Sequence, residues 1–493
     1  MCDEKCSLND NISNIKNQFG SQNELVIRNL VIGENSSLDA AIIYINGLVN
    51  KDMIDRDILN PLMLHVQENL TGIEYVAGYL YKKYIAVSNT FVETDINKVV
   101  DYIKRGKTAL LIQGSCGFII VDTTGGVYRT ISEPINDVSL RGPREGFVEN
   151  LETNLSIIRR RIKDKNLVTD KFVLGRRSQT DLVVMYLDDV VDKEFLQKIK
   201  DKINTIDVDS ISANSLIEQC IEQHPYSILP QTNGSERPDV IEAALMEGRI
   251  AFLLSGTPYV TTYPTVFFEF FQTPEDYYGR TIETVLIRLV RFIAVFIVLF
   301  ISSMYIAMIR FNAEAIPINY VSALIQARSG IALSPLMSLL VLKLIIEFLR
   351  EGGMRMPSKI GQTLSVVGGI IIGDTIIQAK IVSSSTLLVA GIETVASFAI
   401  SNYQMSIAIR FFTYPMIIVT NWFGSLGIVL GWVFIIAYLC SLENFGVPYF
   451  QFHKNDMKDT FIRAPIWKMN KRPEAIPHND DIRQSDFRGG KNE

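Results

Sequence analysis

The chain has 493 residues, of which 48% are hydrophobic and 20% are charged, close to the composition of an ordinary soluble protein. Its formal net charge of -5, without a basic stripe interleaved with aromatic residues, gives no basis for a nucleic-acid partner. The average hides an uneven distribution, because charge and apolar residues mix up to about Arg280, whereas long apolar runs recur from Val285 to Ser441. The expected fold is an α/β cytosolic region followed by an all-α, multi-spanning membrane domain.

The first 35 residues are mostly polar and are predicted to form an N-terminal tail. No apolar run near Met1 resembles the core of a signal peptide, so we expect no cleaved signal before the first domain. The cysteines and histidines are scattered without the spacing of a metal site. We therefore expect neither a bound metal nor another cofactor.

The N-terminal half repeats itself at a constant offset of 142 residues. The segment Ala40–Lys51 matches Leu182–Lys193, and Gly106–Gly114 matches Gly248–Gly256, with a short apolar run typical of a buried strand in each. Two independent blocks that share one offset predict two similar α/β subdomains. The expected bounds are residues 36–165 and 178–275, with a linker at 166–177.

The glycine-rich segment Gly114–Gly117 is the nearest approach to a ligand-binding motif in this half. No Walker-type lysine and hydroxyl follow it and no GxGxxG pattern opens a helix, so tight turns are favoured and an anion or nucleotide site is the alternative. Nucleophile and metal-hydrolase signatures such as GxSxG and HExxH are also missing from the sequence. We therefore expect a protein that is not an enzyme.

Six apolar segments predict the helices of a membrane domain over residues 276–443. They are residues 292–309, 334–349, 362–380, 386–401, 406–421 and 424–442. The stretch from Ile316 to Ser334 is expected to be re-entrant or interfacial. Basic residues such as Arg288 and Arg350 mark the cytoplasmic side of the first three segments. Six crossings place the basic tail, residues 444–493, in the cytoplasm and five place it outside; six are preferred and both stay open.

Ionisable and polar side chains within these segments are the candidate functional residues, because an isolated charge in hydrocarbon costs on the order of 2.5–3.5 kcal/mol unless it is paired or hydrated. Lys343 and Glu347 are four residues apart on one helix and are expected to form an intramembrane ion pair. The candidates for a hydrated pore or ion pathway are Asp374, Gln378, Glu393 and Ser397.

Small residues recur every four positions in the third segment, at Ser365, Gly369 and Gly373. Such a stripe allows a second helix to approach closely. We therefore expect a helix-packing surface, of the kind that an oligomer uses, rather than a pore wall.

Two sets of short motifs carry a family resemblance. In the N-terminal half they are Arg141-Gly-Pro-Arg-Glu-Gly-Phe147, Arg159-Arg-Arg-Ile162, Glu236-Arg-Pro-Asp239, Glu247-Gly-Arg249 and Gly256-Thr-Pro258. In the rest of the chain they are Phe271-Gln-Thr-Pro-Glu-Asp-Tyr-Tyr278, Arg350-Glu-Gly-Gly-Met-Arg-Met-Pro357, Ile360-Gly-Gln362 and Phe445-Gly-Val-Pro-Tyr449. Over about residues 36–450 the chain strongly resembles the A subunit of the GerA-type spore germinant receptors. It departs from many relatives at Gly373-Asp374, where Gly-Glu is expected.

The resemblance implies a multi-pass subunit in the inner membrane of an endospore, in contact with lipid, with its N-terminal domain on the cytoplasmic, or core, side. It implies two partners: a B subunit that resembles amino-acid transporters and holds the nutrient, and a C subunit that is a lipoprotein. It also implies that A subunits self-associate into a ring, expected to be a pentamer, which releases monovalent cations to begin germination.

Two other functions stay open at this stage. One is a germination-associated paralogue of the A subunit that conducts ions without its own nutrient-binding partner; the neighbouring genes would separate it from a receptor subunit. The other is a secondary transporter, whose expected sign is a pair of inverted halves with broken helices. No such symmetry is visible in the sequence after Val285.

Overall fold

The computed structural model describes residues 7–19, 25–33, 38–68, 70, 73, 75–125, 134, 137, 139, 141–355, 369 and 373–485. The described chain divides into two compact units. The sheet unit contains the residues up to Glu222 together with Thr232–Pro264 and Asn470–Ser485. The helical unit contains Gln223–Gln231 and Thr265–Met469.

The first half of the sheet unit, subdomain 1, is an antiparallel sheet in the order β1-β2-β4-β5-β3. Its strands are β1 Leu25–Ile32, β2 Leu38–Ile45, β3 Thr90–Glu93, β4 Thr108–Ile112 and β5 Phe118–Val121. Its helices are α1 Leu8–Phe19, α2 Lys51–Ile54, α3 Asn60–Leu64, α4 Val76–Tyr84 and α5 Ile96–Lys104, with a π-helical turn at Asp55–Leu59. Helices cover both faces of the sheet, which is why the central strand β4 is buried throughout and reads as one apolar run.

The second half, subdomain 2, has a sheet in the order β6-β7-β9-β10-β8, again with antiparallel neighbours. Its strands are β6 Leu167–Leu174, β7 Thr180–Leu187, β8 Asn233–Ser235, β9 Ile250–Leu254 and β10 Val260–Tyr263. Its helices are α6 Leu151–Arg161, α7 Lys193–Asn204, α8 Asn214–Ile221 and α9 Pro238–Met246. Helices α6 and α9 pack on the sheet through a shared apolar core.

The predicted repeat is confirmed, because the two sheets share one strand order. Strands β1, β2, β4 and β5 have the same bounds as β6, β7, β9 and β10 when shifted by 142 residues, as does α5 relative to α9. The turns repeat as well: Gly106 and Gly248 have φ of 83° and 93°, and Gly114 and Gly256 have φ of 77° and 90°. A positive φ is the conformation that favours glycine, so the glycine-rich segment does contain a tight turn.

Two edge strands lie where the sequence predicted no strand. The strand β1 falls within the predicted polar tail, which also contains α1, and β6 falls within the predicted linker at 166–177. Each pairs over eight residues with the next strand along the chain. Edge strands are partly exposed and mix polar with apolar residues, such as Arg28 in β1 and Lys171 in β6, so that they lack the apolar run of a central strand.

The helical unit contains six long helices among the described residues. They are α11 Thr281–Arg310, α12 Ile318–Arg328, α13 Pro335–Arg355, α14 Ser384–Ser397, α15 Tyr403–Phe423 and α16 Ser425–Ser441. Shorter elements are α10 Glu275–Tyr278, α17 Met457–Thr460, the hairpin of β11 Glu443–Asn444 with β12 Val447–Pro448, and 3-10 turns at Phe267–Phe271, Ala313–Ala315 and Ile466–Lys468. Residues 373–378 are also helical.

Five of the six predicted apolar segments correspond to helices of this unit, and α12 lies in the stretch expected to be re-entrant or interfacial. Most of the third segment, residues 362–380, lies outside the described residues. The first helix begins at Thr281, whereas the predicted apolar segment begins at residue 292. The difference arises because the helix includes the charged residues Glu283, Arg288 and Arg291, which end the apolar run but not the helix. The last two segments are separate helices, with a break at Gly424, where φ is 62°.

Helix α11 has 30 residues and is, among the described residues, the one helix both long and apolar enough to cross a membrane. Helix α16 is apolar but has 17 residues. By length and composition, the described chain therefore offers one clear candidate span.

Candidate functional site: a charged cluster in the helical unit

Four helices of the helical unit meet around a small apolar core. Ile306 of α11, Leu342 of α13, Ala390 of α14 and Ile417 of α15 are all buried there. Residues one turn away from these contacts must also face the interior, because positions three and four apart share one face of a helix. The sequence places polar and charged side chains at those positions.

The inner part of the site is a buried ion pair between Lys343 of α13 and Glu393 of α14. The lysine Nζ contacts Glu393 Oε1, and the side chains are 8% and 7% exposed. Ser302 of α11 donates a hydrogen bond to the other carboxylate oxygen, while the lysine also donates to Thr413 Oγ1 of α15 at 2.8 Å. Pairing and hydrogen bonding are what make a buried charge tolerable, and each of the four helices contributes one partner here.

The outer part of the site is centred on Glu347, one turn further along α13. Its Oε1 lies 3.5 Å from Arg350 Nη1 and 3.2 Å from Arg410 Nε of α15. Arg350 Nη2 also donates to Ser397 Oγ of α14 at 3.2 Å, and its guanidinium lies over the ring of Phe398. Two guanidinium groups thus share one carboxylate.

A small cleft, partly open to the surface, connects the inner and outer parts. It is lined by Lys343, Ile346, Glu347, Arg350, Ala390, Glu393, Thr394, Arg410 and Tyr414. Three of these side chains are basic and two are acidic. Both carboxylates of the cleft are therefore paired with basic side chains, and neither is available to bind a free cation in this arrangement.

The structure pairs Lys343 differently from the prediction. The expected partner Glu347 is 38% exposed at the mouth of the cleft and contacts arginines, whereas Lys343 points inward to Glu393. Helical spacing identified two residues on one face but could not show that a neighbouring helix brings a closer carboxylate. Two of the four pathway candidates, Glu393 and Ser397, do lie in this cluster.

The other two pathway candidates lie elsewhere. Asp374 and Gln378 are exposed on the helical residues 373–378, where Gln378 Nε2 donates to Asp374 Oδ2 at 2.6 Å. Neither residue lines the cleft. The structure therefore brings Glu393 and Ser397 together and leaves Asp374 and Gln378 on an exposed face.

Two residues of the glycine stripe, Gly369 and Gly373, have few close neighbours among the described residues. A Cβ built on Gly369 would meet no atom within 4 Å, and one on Gly373 would meet Leu387 alone, at 3.8 Å. Ser365 lies outside the described residues. The packing role of the stripe stays a prediction.

A second charged network surrounds the start of α11. Arg288 is fully buried; its Nε donates to Asp276 Oδ2 at 2.9 Å and its Nη1 pairs with Asp459 Oδ1 at 2.9 Å. Arg291 Nη1 reaches the same Asp276 oxygen at 2.8 Å. The sequence pattern identified Arg288 as a topology signal but not its partners, although Asp276 lies within the motif Phe271–Tyr278. Asp459 lies in the short helix α17, which follows the last long helix, so this network fixes α17 against α11.

The sheet unit carries one pair of unusual carboxylates, on α8. Glu218 is buried, and burial raises its pKa although the hydroxyl of Thr232 lowers it in part. Burial and the neighbouring charge of Glu218 raise the pKa of Glu222 to about 7. Among the described residues, no group of three or more His, Cys, Asp or Glu side chains could hold a metal ion.

A family model described as the Bacillus/Clostridium GerA spore germination protein matches residues 13–475. The chain is 35% identical over 482 residues to "Spore germination protein KA" of Bacillus subtilis (strain 168), covering 97% of this chain and 88% of the relative. It is 33% identical over 471 residues to "Uncharacterized membrane protein YfkQ" of the same organism, covering 95% of this chain and 91% of that relative.

A solved structure is similar as well. It is the crystal structure of the N-terminal domain of the A subunit of the Bacillus megaterium spore germinant receptor GerK3, with 29% sequence identity and a TM-score of 0.41. The match covers 53% of this chain and 96% of that domain.

Proposed function

The chain belongs to the Bacillus/Clostridium GerA spore germination protein family, and from this premise we propose that it is the A-type membrane subunit of a nutrient germinant receptor. The family is one of germination proteins and not a known enzyme family, and we infer that the chain acts by conducting ions and not by catalysis. In this proposal, copies of the chain form a ring, expected to be pentameric, that opens a pathway for monovalent cations when germination begins.

The observation that carries the proposal is the distribution of polar and apolar side chains in the helical unit. Its interior holds fully buried hydroxyls, such as those of Ser302 and Thr413, and a buried ion pair. Its surface presents large apolar side chains, among them Phe296, Val433 and Phe434, which are 57%, 57% and 65% exposed. A water-soluble bundle covers its surface largely with polar side chains, whereas many large apolar side chains exposed on one unit favour contact with lipid or with partner proteins.

This distribution supports a membrane location for helices that do not qualify as spans by length and composition. A polar side chain inside a lipid-facing bundle avoids hydrocarbon, whereas apolar side chains on its surface are solvated by lipid tails. We therefore infer a multi-pass protein in the inner membrane of the endospore, with the sheet unit on the cytoplasmic, or core, side.

The Lys343–Glu393 pair supports a specific closed state. The ammonium group occupies the carboxylate that a monovalent cation would otherwise use, and its own positive charge repels that cation. We infer that conduction past Glu393 and Ser397 requires Lys343 to move away from Glu393. Asp374 and Gln378, which are exposed within the single chain, would reach the pathway only after assembly.

Assembly needs surfaces that one chain leaves unpacked, and we propose that the Gly369 and Gly373 stripe is one, since few of the described residues approach either glycine. By analogy with the receptors that the chain resembles, its partners would be a transporter-like B subunit that holds the nutrient and a lipoprotein C subunit. The lipid bilayer would contact the apolar surface that remains exposed.

Potassium efflux from liposomes tests this function. The full chain is reconstituted unaltered, as Lys343→Met, and as Lys343→Met combined with Glu393→Gln. Arg355→Met, which removes an 80% exposed charge from the same helix, is the matched control. We expect low efflux from the unaltered and control chains, high efflux from Lys343→Met, and a return to low efflux in the double variant. Efflux no greater than that of empty liposomes for every variant would refute the channel.

A second candidate function is that of an A-type paralogue which conducts ions without a nutrient-binding partner of its own. Identity to the relative named only as a membrane protein, 33%, nearly equals identity to the relative named as a spore germination protein, 35%. Similarity therefore does not separate the two roles. Isolation of the tagged chain from spore membranes separates them, because a receptor subunit is recovered with a transporter-like protein and a lipoprotein.

A further inference from the structure

The two copies of the repeat close one edge in the same way but with different parts of the chain. In subdomain 1, Leu48–Asn50 pairs with Thr123–Gly125, the residues that directly follow β5. Val49 and Thr124 form an antiparallel bridge, and the amide of Asn50 donates to the carbonyl of Thr123 at 2.9 Å. Subdomain 1 thus closes this edge with its own continuous chain.

Subdomain 2 closes the equivalent edge with residues from the far end of the chain. Val191, which corresponds to Val49, forms its antiparallel bridge with His478. The amide of Asn479 donates to the carbonyl of Val190 at 2.8 Å, and its side-chain Nδ2 donates to the carbonyl of Val191 at 2.7 Å. The Asn479 side chain therefore adds a contact that the backbone alone does not provide.

The glycine beside this edge shows that the same space is filled in both copies. A Cβ added to Gly106 would lie 2.9 Å from the carbonyl oxygen of Leu48 and 3.5 Å from Thr124 Cγ2. A Cβ added to the corresponding Gly248 would lie 3.1 Å from His478 Cβ. Residue 478 therefore stands where residue 124 stands in the first copy.

Further contacts hold the C-terminal segment along this edge. Arg472 Nε donates to the carbonyl of Met246 at the end of α9, at 2.8 Å, and its Nη1 donates to Asp480 Oδ2 at 2.7 Å. Ile476 is 1% exposed, so the segment also contributes an apolar anchor. The contacts combine backbone pairing with two selective side chains and one buried apolar group.

We propose that subdomain 2 contains a peptide-acceptor slot, formed by Val190, Val191, Met246 and Gly248, whose ligand is the chain's own segment Asn470–Ser485. Recognition follows the logic of strand addition, in which main-chain hydrogen bonds supply affinity and side-chain contacts supply selectivity. The inference does not depend on ion conduction. Because the segment directly follows Met469, its docking anchors the chain that leaves the helical unit to subdomain 2.

Hydrogen exchange of the full chain in detergent tests the docking. Arg472→Ala combined with Asn479→Ala removes both selective side chains, and Lys471→Ala, which alters a 60% exposed neighbour, is the matched control. We expect exchange of residues 472–483 to rise roughly tenfold or more in the double variant only. Exchange of β6, β7 and β9 should stay unchanged, which separates undocking from unfolding. Unprotected exchange of 472–483 in the unaltered chain, or equal exchange in the double variant and the control, would overturn the proposal.

A labelled synthetic peptide of residues 470–485 tests the slot itself. In the unaltered chain the tethered segment has an effective concentration in the millimolar range, so micromolar peptide should not displace it. In the double variant the slot is vacated and the peptide should bind. Binding to the double variant without binding to the unaltered chain is the expected result. Failure to bind the double variant would show that the segment is not recognised as a ligand.

Discussion

Lys343 and Glu393 are fifty residues apart in sequence and face each other across α13 and α14, each less than a tenth exposed. The pair is held from two further helices, since Ser302 of α11 donates to the carboxylate and Thr413 of α15 accepts from the ammonium. A contact of this kind makes each charge dependent on the other, because both side chains are more than nine-tenths buried. Removal of one partner therefore has a different consequence from removal of both.

The Lys343→Met variant should be strongly destabilised if the closed arrangement is kept. It leaves the Glu393 carboxylate buried with the hydroxyl of Ser302 as its remaining close partner, and breaking a buried pair in this way costs about 3–5 kcal/mol. The measurement is the free energy of unfolding of the purified chain in detergent. A smaller loss of unfolding free energy, accompanied by potassium efflux, would indicate that the pathway has opened and that water now hydrates the Glu393 carboxylate.

The double variant Lys343→Met with Glu393→Leu is the control for this effect. Apolar replacement of both partners of a buried pair is often neutral or stabilising, so most of the lost free energy should return. Equal losses in the single and double variants would mean that the damage comes from altered packing and not from an unpaired charge.

The glycine stripe makes a prediction about assembly. Gly369→Phe adds a ring where no atom of the described residues lies within 4 Å of a Cβ, so we expect the fold of one chain to be kept. If a second chain packs there, close helix approach is lost and the oligomer should dissociate. The mass of the detergent-solubilised complex is the measurement. Gly391→Phe, at another exposed helical glycine with no atom within 4 Å of its Cβ, is the matched control and should leave the mass unchanged. Equal masses for all three chains would remove the stripe from the interface.

The repeat could be predicted because its central strands are buried on both faces and keep an apolar run in each copy. The edge strands β1 and β6 could not, since Arg28 and Lys171 interrupt the pattern that identifies a buried strand. The docking of the C-terminal segment on subdomain 2 could not be predicted from the sequence either. It depends largely on backbone hydrogen bonds, and any polar segment carries those donors and acceptors.

The candidate site was predicted in part. Charges within apolar helices identified Lys343, Glu347 and Glu393 as residues that need partners. Pairing them required knowledge of which helices are neighbours, and helical periodicity reports positions on one helix only. The buried Asp276–Arg288 contact was missed for the same reason, because its partners lie on different elements and neither stands in a long apolar run.

The raised pKa of Glu222 predicts that the stability of the sheet unit depends on pH. Its pKa rises from an ordinary value of 4.5 to about 7, so the folded state binds a proton more tightly than the unfolded state between these values. The contribution of Glu222 to the free energy of unfolding is therefore greatest below about pH 4.5, and it falls as the pH rises toward 7. Because Glu222 is partly exposed, solvent screening reduces the loss to about 1–2 kcal/mol.

Glu222→Gln should abolish this slope and stabilise the chain at pH 8 by about 1–2 kcal/mol relative to the unaltered protein. Urea unfolding at pH 5 and pH 8 measures both quantities. Glu194→Gln removes a carboxylate whose side chain is 80% exposed, and it should leave the pH dependence as it is. An unchanged slope in Glu222→Gln would assign the pH dependence to other groups, with Glu218 the first to examine.

The last prediction concerns how often the chain crosses the membrane in the proposed arrangement. Strands β6 to β10 precede the helices of Thr265–Met469, whereas Asn470–Ser485 follows them, and both the strands and this segment belong to the sheet unit. Strands and segments joined by backbone hydrogen bonds cannot lie on opposite sides of a bilayer. The chain must therefore cross an even number of times between Pro264 and Asn470. This favours six crossings over five and leaves the basic tail on the side of the N-terminal domain.

Epitope tags placed before Met1 and after Glu493 should consequently show the same protection from protease in sealed membrane vesicles. A third tag, inserted between α11 and α12 at Ala313, should show the opposite protection, since a single span separates it from the sheet unit. Opposite protection of the two terminal tags would require an odd number of crossings. It would also require the C-terminal segment to lie away from its slot, so one result would contradict both the six-span arrangement and the docking on which it depends.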